Sequence, residues 1–242
     1  MLTVQNLRKS YDDEPVLRGA DLTVERETIL SILGRSGSGK TTLLRIIAGL
    51  EDADGGTVAL DGQDLAGRSP QDRGVVYLSQ EPLLFPHLSV RENVAFGLTL
   101  RDVPAPDVRE RTRSMIEALG LSRHIDKRPQ QLSGGQKQRV AFGRAAILNP
   151  KLLLLDEPFA NLDVDIRAQM QELFQTIAAE FGITALFVTH NLKEALLMGD
   201  RLAHLRSGVL KMFASRQAFV TDPDVGVQEE MRFWTDLHDE TH

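Results

Sequence analysis

A glycine-rich segment supplies the residue types best suited to phosphate chemistry in this chain of 242 residues. The segment is GRSGSGKT, Gly34–Thr41, and it follows the β-rich apolar run Thr28–Leu33 and precedes the helical pattern TLLRIIAGL. Glycines let backbone N–H groups surround phosphate oxygens, and the start of the following helix adds positive potential. The spacing therefore predicts a phosphate-binding loop between a strand and a helix.

Four side chains, two in the loop and two further along the chain, have functional groups suited to phosphate chemistry. Lys40 is predicted to bridge the β- and γ-phosphates of a nucleotide, and Thr41 to ligate Mg²⁺. Further along, the apolar run KLLLL ends in two carboxylates, Asp156 and Glu157. Asp156 is predicted to hold Mg²⁺ through water, and Glu157 to polarise the water that attacks the γ-phosphate. The structural alternatives are a tight glycine turn and a buried strand with a solvated acidic end, and both lose force when the two motifs occur together.

Nearly continuous apolar runs predict the elements that position these residues. The runs at Val75–Ser79, Leu152–Leu155 and Ile183–Thr189 are typical of strands covered on both faces, which favours a mostly parallel sheet flanked by helices. Residues 1–27 and Thr57–Leu60 alternate less cleanly and suggest an antiparallel part. The fold class is therefore α/β.

Residues 81–133 follow a helical pattern and are interpreted as a helical subdomain inserted into the core. Helices are expected at Val90–Leu100, opened by a capping box at Ser89, and at Asp107–Leu119. The main domain is taken as residues 1–214, and residues 215–242 as a short acidic C-terminal segment. That segment carries Phe233 and Trp234 and is expected to pack as a short helix, with no function assigned.

Composition narrows the class of protein further. The chain has 28 basic and 34 acidic residues, so its net charge of −6 argues against nucleic-acid binding. It has no cysteine, which excludes disulfides and thiolate chemistry. The longest stretch free of charged residues, Phe181–Leu192, is too short to span a bilayer, and the N-terminus does not resemble a signal peptide. A cytosolic location is expected.

The segment QLSGGQKQR, Gln131–Arg139, adds a second potential phosphate cradle 20 residues before Asp156. Ser133 offers a hydroxyl, Gly134 and Gly135 permit close backbone approach, and a helix expected at Gln136–Leu148 presents its N-terminus. Together with the glycine loop and the acidic strand end, this segment resembles the signature of the ATP-binding cassette (ABC) family. The resemblance extends over about residues 2–214 and implies a P-loop NTPase core.

The resemblance implies roles for further residues. Tyr11 matches the aromatic that stacks on adenine, although a lone tyrosine is more often ordinary strand packing. Gln80 matches a glutamine that touches Mg²⁺ and the attacking water, and His190 a histidine that contacts the γ-phosphate and holds Glu157 in line. Asp163 matches a loop that crosses a dimer interface. The implied ATP-binding set is Tyr11, Gly34, Arg35, Ser36, Gly37, Ser38, Gly39, Lys40, Thr41 and Thr42.

The resemblance also implies partners. Each ATP would lie between the glycine loop of one subunit and Ser133–Gln136 of another, in a homodimer or in a heterodimer with a second ABC ATPase. The segment Gln80–Val90 resembles the ATPases of bacterial importers for spermidine, iron(III), thiamine, sulfate or molybdate, here without a C-terminal regulatory domain. Permease subunits are expected to contact Leu83–Ser89, with a substrate-binding protein completing the importer and the ATPase peripheral on the inner face of the cell membrane.

Two other classes of function remain as alternatives. A soluble ABC protein of translation or repair is disfavoured because the chain has one cassette and only 93 residues separate Lys40 from Ser133. A P-loop kinase would require the LSGGQ segment to be a chance helix start. Whether the γ-phosphate passes to water or to an acceptor separates the kinase from the ATPase.

Overall fold

Two β-sheets organise residues 1–101 and 103–227, the part of the chain that this computed structural model describes. The strands are β1 (Leu2–Tyr11), β2 (Glu14–Val24), β3 (Ile29–Leu33), β4 (Gly55–Leu60), β5 (Gln63–Asp64), β6 (Val75–Leu78), β7 (Leu152–Asp156), β8 (Ala185–Thr189), β9 (Arg201–Arg206) and β10 (Val209–Met212). The α-helices are α1 (Lys40–Ala48), α2 (Val90–Thr99), α3 (Ala105–Ala118), α4 (Gly134–Ala146), α5 (Val164–Glu180), α6 (Leu192–Met198) and α7 (Arg216–Thr221). Within these residues, no helix has the length and apolar character needed to cross a bilayer.

The larger sheet has six strands in the order β10-β9-β3-β8-β7-β6 and is parallel except for the β9–β10 hairpin. Every residue of β3, β7 and β8 is buried, because the sheet is covered on both faces. Along β7 the side chains alternate: Leu152 and Leu154 pack in the core that contains α1, and Leu153 and Leu155 in the core that contains α4 and α5. The predicted α/β class with a mostly parallel sheet is confirmed.

The smaller sheet has four strands in the order β2-β1-β4-β5, and all of its pairs are antiparallel. Residues of β1, β2 and β4 share their core with α1 and with the inner face of the larger sheet. The predicted antiparallel N-terminal part is therefore confirmed. Its position matters for the site because Gly39 packs against β2, as described below.

Three helix boundaries differ from the prediction. The helix expected at Gln136–Leu148 begins at Gly134 and ends at Ala146, because Ser133 caps it and Gln136 is its third residue. The helix expected at Asp107–Leu119 spans Ala105–Ala118, and the one expected to end at Leu100 ends at Thr99. The first difference is the important one, since it places both glycines of the LSGGQ segment inside the first helical turn.

The beginning of the C-terminal segment packs on the core. In α7 the ring of Phe219 is fully buried and lies edge-on to Phe213, with 5.1 Å between the ring centroids. Leu33 and Leu202 belong to the same cluster, which lies next to the end of β3. The expectation for Phe233 and Trp234 falls outside the described residues.

Candidate functional site

The C-terminal edge of the parallel sheet gathers the predicted site. Leu33 of β3 pairs with Thr189 of β8, and Asp156 of β7 pairs with Val188. The residues that follow these strands therefore meet at one edge, where ligands bind in open α/β sheets. These residues are the glycine loop, Glu157 and His190.

The backbone of the glycine loop folds tightly between β3 and α1. Gly37 and Gly39 have φ angles of 78° and 101°, which other residue types rarely adopt. A Cβ on Gly39 would lie 2.9 Å from the carbonyl oxygen of Val16 in β2, so the small sheet also restricts this position to glycine. The loop is thus shaped by backbone freedom and by close packing together.

Lys40 lies at the centre of the loop and is only 5% exposed. Its Nζ donates hydrogen bonds to the carbonyl oxygens of Gly34 at 2.7 Å and Arg35 at 3.0 Å. It also lies 3.3 Å from Oε1 of Glu157. The loop therefore holds a buried cation whose third contact is the carboxylate predicted to act on water.

The Ser38 hydroxyl fits a bound phosphate, and Gly34 packs closely against it. Among the described residues, nothing forms a hydrogen bond with the buried Oγ of Ser38, although buried hydroxyls normally have a partner. A Cβ on Gly34 would lie 2.6 Å from that Oγ and 2.6 Å from the carbonyl oxygen of Leu205. The loop therefore keeps a buried hydroxyl that a ligand can bond, and close packing restricts position 34 to glycine.

Asp156 is held through both of its carboxylate oxygens. The Thr41 hydroxyl donates to Oδ1 at 3.2 Å, and the Tyr77 hydroxyl donates to Oδ2 at 2.8 Å. Burial, and next the hydrogen bond to Asp156, raise the pKa of the Tyr77 phenol. Thr41 and Asp156 supply oxygen atoms of the kind that Mg²⁺ prefers, so the pair fits the predicted metal site.

Tyr77 is a site residue that the sequence did not predict. The residue lies within the apolar strand VVYLS, 79 positions before Asp156. The apolar residues around it indicate a strand that packs in the core. The available signal is general: a half-buried tyrosine hydroxyl usually has a hydrogen-bond partner. Only the pairing of β6 with β7 identifies that partner.

Glu157 and His190 form the chemical centre of the site. His190 Nδ1 lies 2.6 Å from Oε2 of Glu157, while the other carboxylate oxygen faces Lys40. Glu157 has a φ of 44°, in the left-handed region that is uncommon for residues other than glycine. The arrangement can orient a carboxylate to accept a proton, with a histidine fixing its direction.

Gln80 lies at the same sheet edge as this centre, whereas the contacts of Tyr11 are with Lys9 and Glu51. Gln80 is exposed two residues after β6, whose Leu78 pairs with Leu155, so it is at the same sheet edge as Asp156. Tyr11 is 44% exposed, its hydroxyl hydrogen-bonds Glu51, and the Nζ of Lys9 lies 5.4 Å from its ring centroid. Burial and then the bond to Glu51 raise the pKa of this phenol. Tyr11 is thus anchored by Glu51, three residues after the end of α1.

The LSGGQ segment lies away from the glycine loop of the same chain. Ser133 Oγ accepts a hydrogen bond from the Gln136 backbone at 3.4 Å, and Gln136 Oε1 accepts one from the Ser133 backbone at 3.1 Å. Ser133 and Gly134 are exposed, as is Asp163. A cavity of about 790 Å³ beside the glycine loop is lined by Arg35, Ser38 and His190, among others. In the described part of the chain, neither the LSGGQ segment nor Asp163 lines this cavity.

The segment from Leu83 to Ser89 is only partly exposed. Leu83 is 66% exposed, whereas Leu84 packs against the core and Phe85 is half-buried against Phe96, with 4.3 Å between the ring centroids. Fully buried Asn93 accepts from the Phe85 N–H and donates to the carbonyls of Phe85, Leu88 and Ser89. The sequence did not predict this role for Asn93, because its position in a helical pattern carries no sign of these contacts.

A mainly apolar groove of about 530 Å³ lies next to this segment, between α2 and α3. Its apolar lining includes Leu88, Ala95, Phe96, Val108 and Ile125. Its charged lining is Arg91, Glu92, Arg109 and Arg113, and Arg91 is paired with Asp126. The groove combines an apolar floor with a net positive rim.

Comparison with known proteins agrees with this geometry. Residues 17–160 match the family model described as ABC transporter. Over 223 residues, 92% of this chain, it is 41% identical to the spermidine/putrescine import ATP-binding protein of Mannheimia succiniciproducens, 39% to that of Haemophilus influenzae and 41% to that of Nitratidesulfovibrio vulgaris. The matched part spans 60 to 61% of the length of these relatives.

Proposed function

This chain belongs to the ABC transporter family, and from that premise we propose that it is the ATP-binding and ATP-hydrolysing subunit of a membrane importer. The observation that carries the proposal is the chain of contacts from Lys40 through Glu157 to His190, beside the Thr41–Asp156 pair. This places a cation, a candidate base and oxygen ligands at one sheet edge. The relatives are named for spermidine/putrescine import, so polyamine uptake is the first transport assay to perform.

The residues divide the chemistry of hydrolysis among them. Backbone N–H groups of residues 34–41 and Lys40 would bind the phosphates, and Thr41 and Asp156 would hold Mg²⁺, which would supply charge neutralisation at the phosphates. Glu157 accepts a proton from water as the water oxygen bonds to the γ-phosphorus and the bond to the ADP oxygen breaks. His190 keeps Glu157 directed at that water, and Gln80 lies at the same sheet edge.

A second copy of an ABC ATPase subunit completes each site in this proposal. Ser133 and Gly134 are exposed at the start of α4, and a Cβ on Gly134 would meet nothing within 4 Å. This helix start is therefore an open anion cradle that lies away from the glycine loop of its own chain. A homodimer with two such sandwiches uses both cradles, and Asp163 lies at the interface.

The purified protein is expected to release inorganic phosphate from ATP in the presence of Mg²⁺, with a rate per subunit that rises with protein concentration. The rise follows from sites that two subunits share, since dilution separates them. Phosphate release and light scattering across a concentration series measure both properties. Transfer of the γ-phosphate to an acceptor would instead support a kinase, and a rate per subunit that stays constant on dilution in a monomeric protein would contradict shared sites.

Two glycine variants sharpen this test. Gly134→Ala fits the isolated subunit, because its Cβ has open space, but it crowds a phosphate bound at the cradle. Gly55→Ala is the matched control, with equally open space in β4 and no positive φ. Gly134→Ala should weaken ATP-dependent dimerisation by about tenfold, or ~1.4 kcal/mol, and Gly55→Ala should not.

The groove between α2 and α3 is the proposed docking site for a permease. Its size suits one short helix with apolar side chains, and the excess of arginine at its rim favours acidic residues on that helix. Asn93 fixes residues 85–89 next to the groove, so a shift of the loop after Gln80 would reach the docked helix. In this arrangement the subunit is peripheral at the inner face of the membrane, and a substrate-binding protein delivers the solute.

Reversing the rim charge should disrupt assembly with the permease. Arg109→Glu/Arg113→Glu places acidic groups opposite the expected acidic helix, which should reduce co-purification with the permease from solubilised membranes by about tenfold. The matched control, Arg18→Glu/Arg201→Glu, reverses two exposed arginines outside the groove. Equal recovery of the permease with both variants would place docking elsewhere.

A further inference from the structure

Glu194 is a buried carboxylate that the proposed chemistry does not use. It lies in the first turn of α6 and is 5% exposed. Its Oε2 accepts a hydrogen bond from the Thr189 hydroxyl at 2.7 Å, and its Oε1 lies 3.7 Å from Nε of Arg167 in α5. A buried charge is unfavourable unless it is paired, so these contacts hold Glu194 in one position.

Arg167 extends this pair toward the residues after Glu157. Its Nη2 donates to the carbonyl oxygen of Leu162 at 2.9 Å, and its Nε to that of Phe159 at 3.3 Å. These carbonyls belong to the short segment that connects Glu157 to Asp163. One end of the pair is therefore attached to the backbone that carries the candidate base.

The other end is attached on both sides of His190. The Thr189 hydroxyl that donates to Glu194 also accepts a hydrogen bond from the Asn191 backbone at 3.0 Å. Asn191 Oδ1 in turn accepts one from the Glu194 backbone at 3.0 Å. The residues before and after His190 are thus both linked to Glu194.

We propose that Arg167 and Glu194 are positioning residues that keep the Glu157 and His190 segments in register. The inference rests on the proposed ATP hydrolysis, because it assigns the pair to the orientation of the base. A displacement of residues 159–163, where the partner subunit is proposed to bind, would pass through Arg167 and Glu194 to His190. The pair thereby links the subunit interface to the alignment of Glu157.

The expected consequence is a loss of turnover without a loss of nucleotide affinity. Glu194→Gln keeps the shape and the contact with Thr189 but removes the charge that faces Arg167. Because small displacements of catalytic groups can reduce rates by as much as ~100-fold, we expect kcat to fall by about tenfold or more. Neither residue contacts the glycine loop, so the KM for ATP and the Kd for ADP should stay within about twofold.

A double-mutant cycle with His190 separates positioning from a purely structural role. If Glu194 acts through His190, Glu194→Gln should lower single-turnover hydrolysis about tenfold in the wild-type background and less than about twofold in His190→Ala. An equal loss in both backgrounds, or no loss in either, would overturn the inference. Single-turnover measurement with labelled ATP keeps the slow His190→Ala reaction observable.

Two further comparisons cover the case in which Glu194→Gln does not fold. Thr189→Val removes the hydroxyl between Glu194 and Asn191, and Thr189→Ser restores it, so the serine variant should recover most of the kcat lost in the valine variant. Loss in both to the same extent would contradict the inference. Arg26→Met, which removes an exposed ion pair with Asp61, is the control for loss of an ion pair.

A measurement independent of hydrolysis uses the His190 ring itself. In protein with isotope-labelled histidine, the signal that His190→Ala identifies should shift in Glu194→Gln and Thr189→Val but not in Arg26→Met. An unchanged signal would contradict positioning. These ratios and shifts test the pair, whereas a wild-type protein that releases no phosphate would contradict the proposed function instead.

Discussion

Lys40→Met should bind ATP at least roughly a hundredfold more weakly than the wild-type protein. The variant loses the two charge-assisted hydrogen bonds that Lys40 is proposed to make to the β- and γ-phosphates, which contribute about 1.5–3 kcal/mol each. Methionine keeps most of the length and apolar volume of the lysine stem. The change therefore removes a buried cation while leaving the packing of α1 largely intact. Calorimetric titration with ATP and Mg²⁺ measures the effect, and hydrolysis should fall with it.

The control for this variant is Lys151→Met, since Lys151 has a side chain that is 57% exposed and lies before β7. Thermal unfolding without nucleotide distinguishes loss of binding from loss of folding, which matters because Lys40→Met leaves Glu157 without its cation. A folded Lys40→Met protein that binds ATP within about threefold of wild type would mean that the glycine loop is not a phosphate site.

Glu157→Gln should lower the rate of hydrolysis by roughly a hundredfold or more, the range typical for loss of a general base. The amide keeps the size of the side chain and one acceptor for His190 but no longer takes a proton from water. Single-turnover phosphate release measures the rate. Glu180→Gln at the exposed end of α5 is the control for loss of a glutamate charge.

The same variant should bind ADP more tightly than wild type. Without nucleotide, Lys40 Nζ lies 3.3 Å from Glu157, so phosphate must compete with this carboxylate for the lysine. A neutral amide competes less, and ADP separates this effect from hydrolysis. Weaker ADP binding in Glu157→Gln would show that the Lys40–Glu157 contact does not oppose nucleotide binding, and a rate within about tenfold of wild type would show that Glu157 is not the base.

The central residues of the site were predictable because their spacing is local. Gly34–Thr41 follows a strand directly, and Asp156 and Glu157 end another, so parallel strands suffice to bring them to one edge. The supporting contacts were not predictable in this way. Strand pairing and helix packing determine the contacts of Tyr77, Asn93 and the Arg167–Glu194 pair. Tyrosine, asparagine, arginine or glutamate at other positions would give the same sequence pattern without these contacts.

The start of α4 shows how local signals can conflict. Two consecutive glycines disfavour a helix, and the predicted start at Gln136 lies after them. The reciprocal hydrogen bonds of Ser133 and Gln136 outweigh that preference, and the helix begins at Gly134. Gly135 has a packing reason as well, because a Cβ there would lie 2.5 Å from Cγ2 of Ile166 in α5.

The left-handed backbone of Glu157 means that thermal stability and hydrolysis place different demands on this position. A residue with a side chain is disfavoured in this region by roughly 1–3 kcal/mol, and glycine would relieve that strain. Glycine at position 157 would also remove the candidate base and leave the buried Lys40 without its carboxylate partner. Screens for thermally stabilised variants of this protein therefore need to select for ATP turnover as well as for thermal stability.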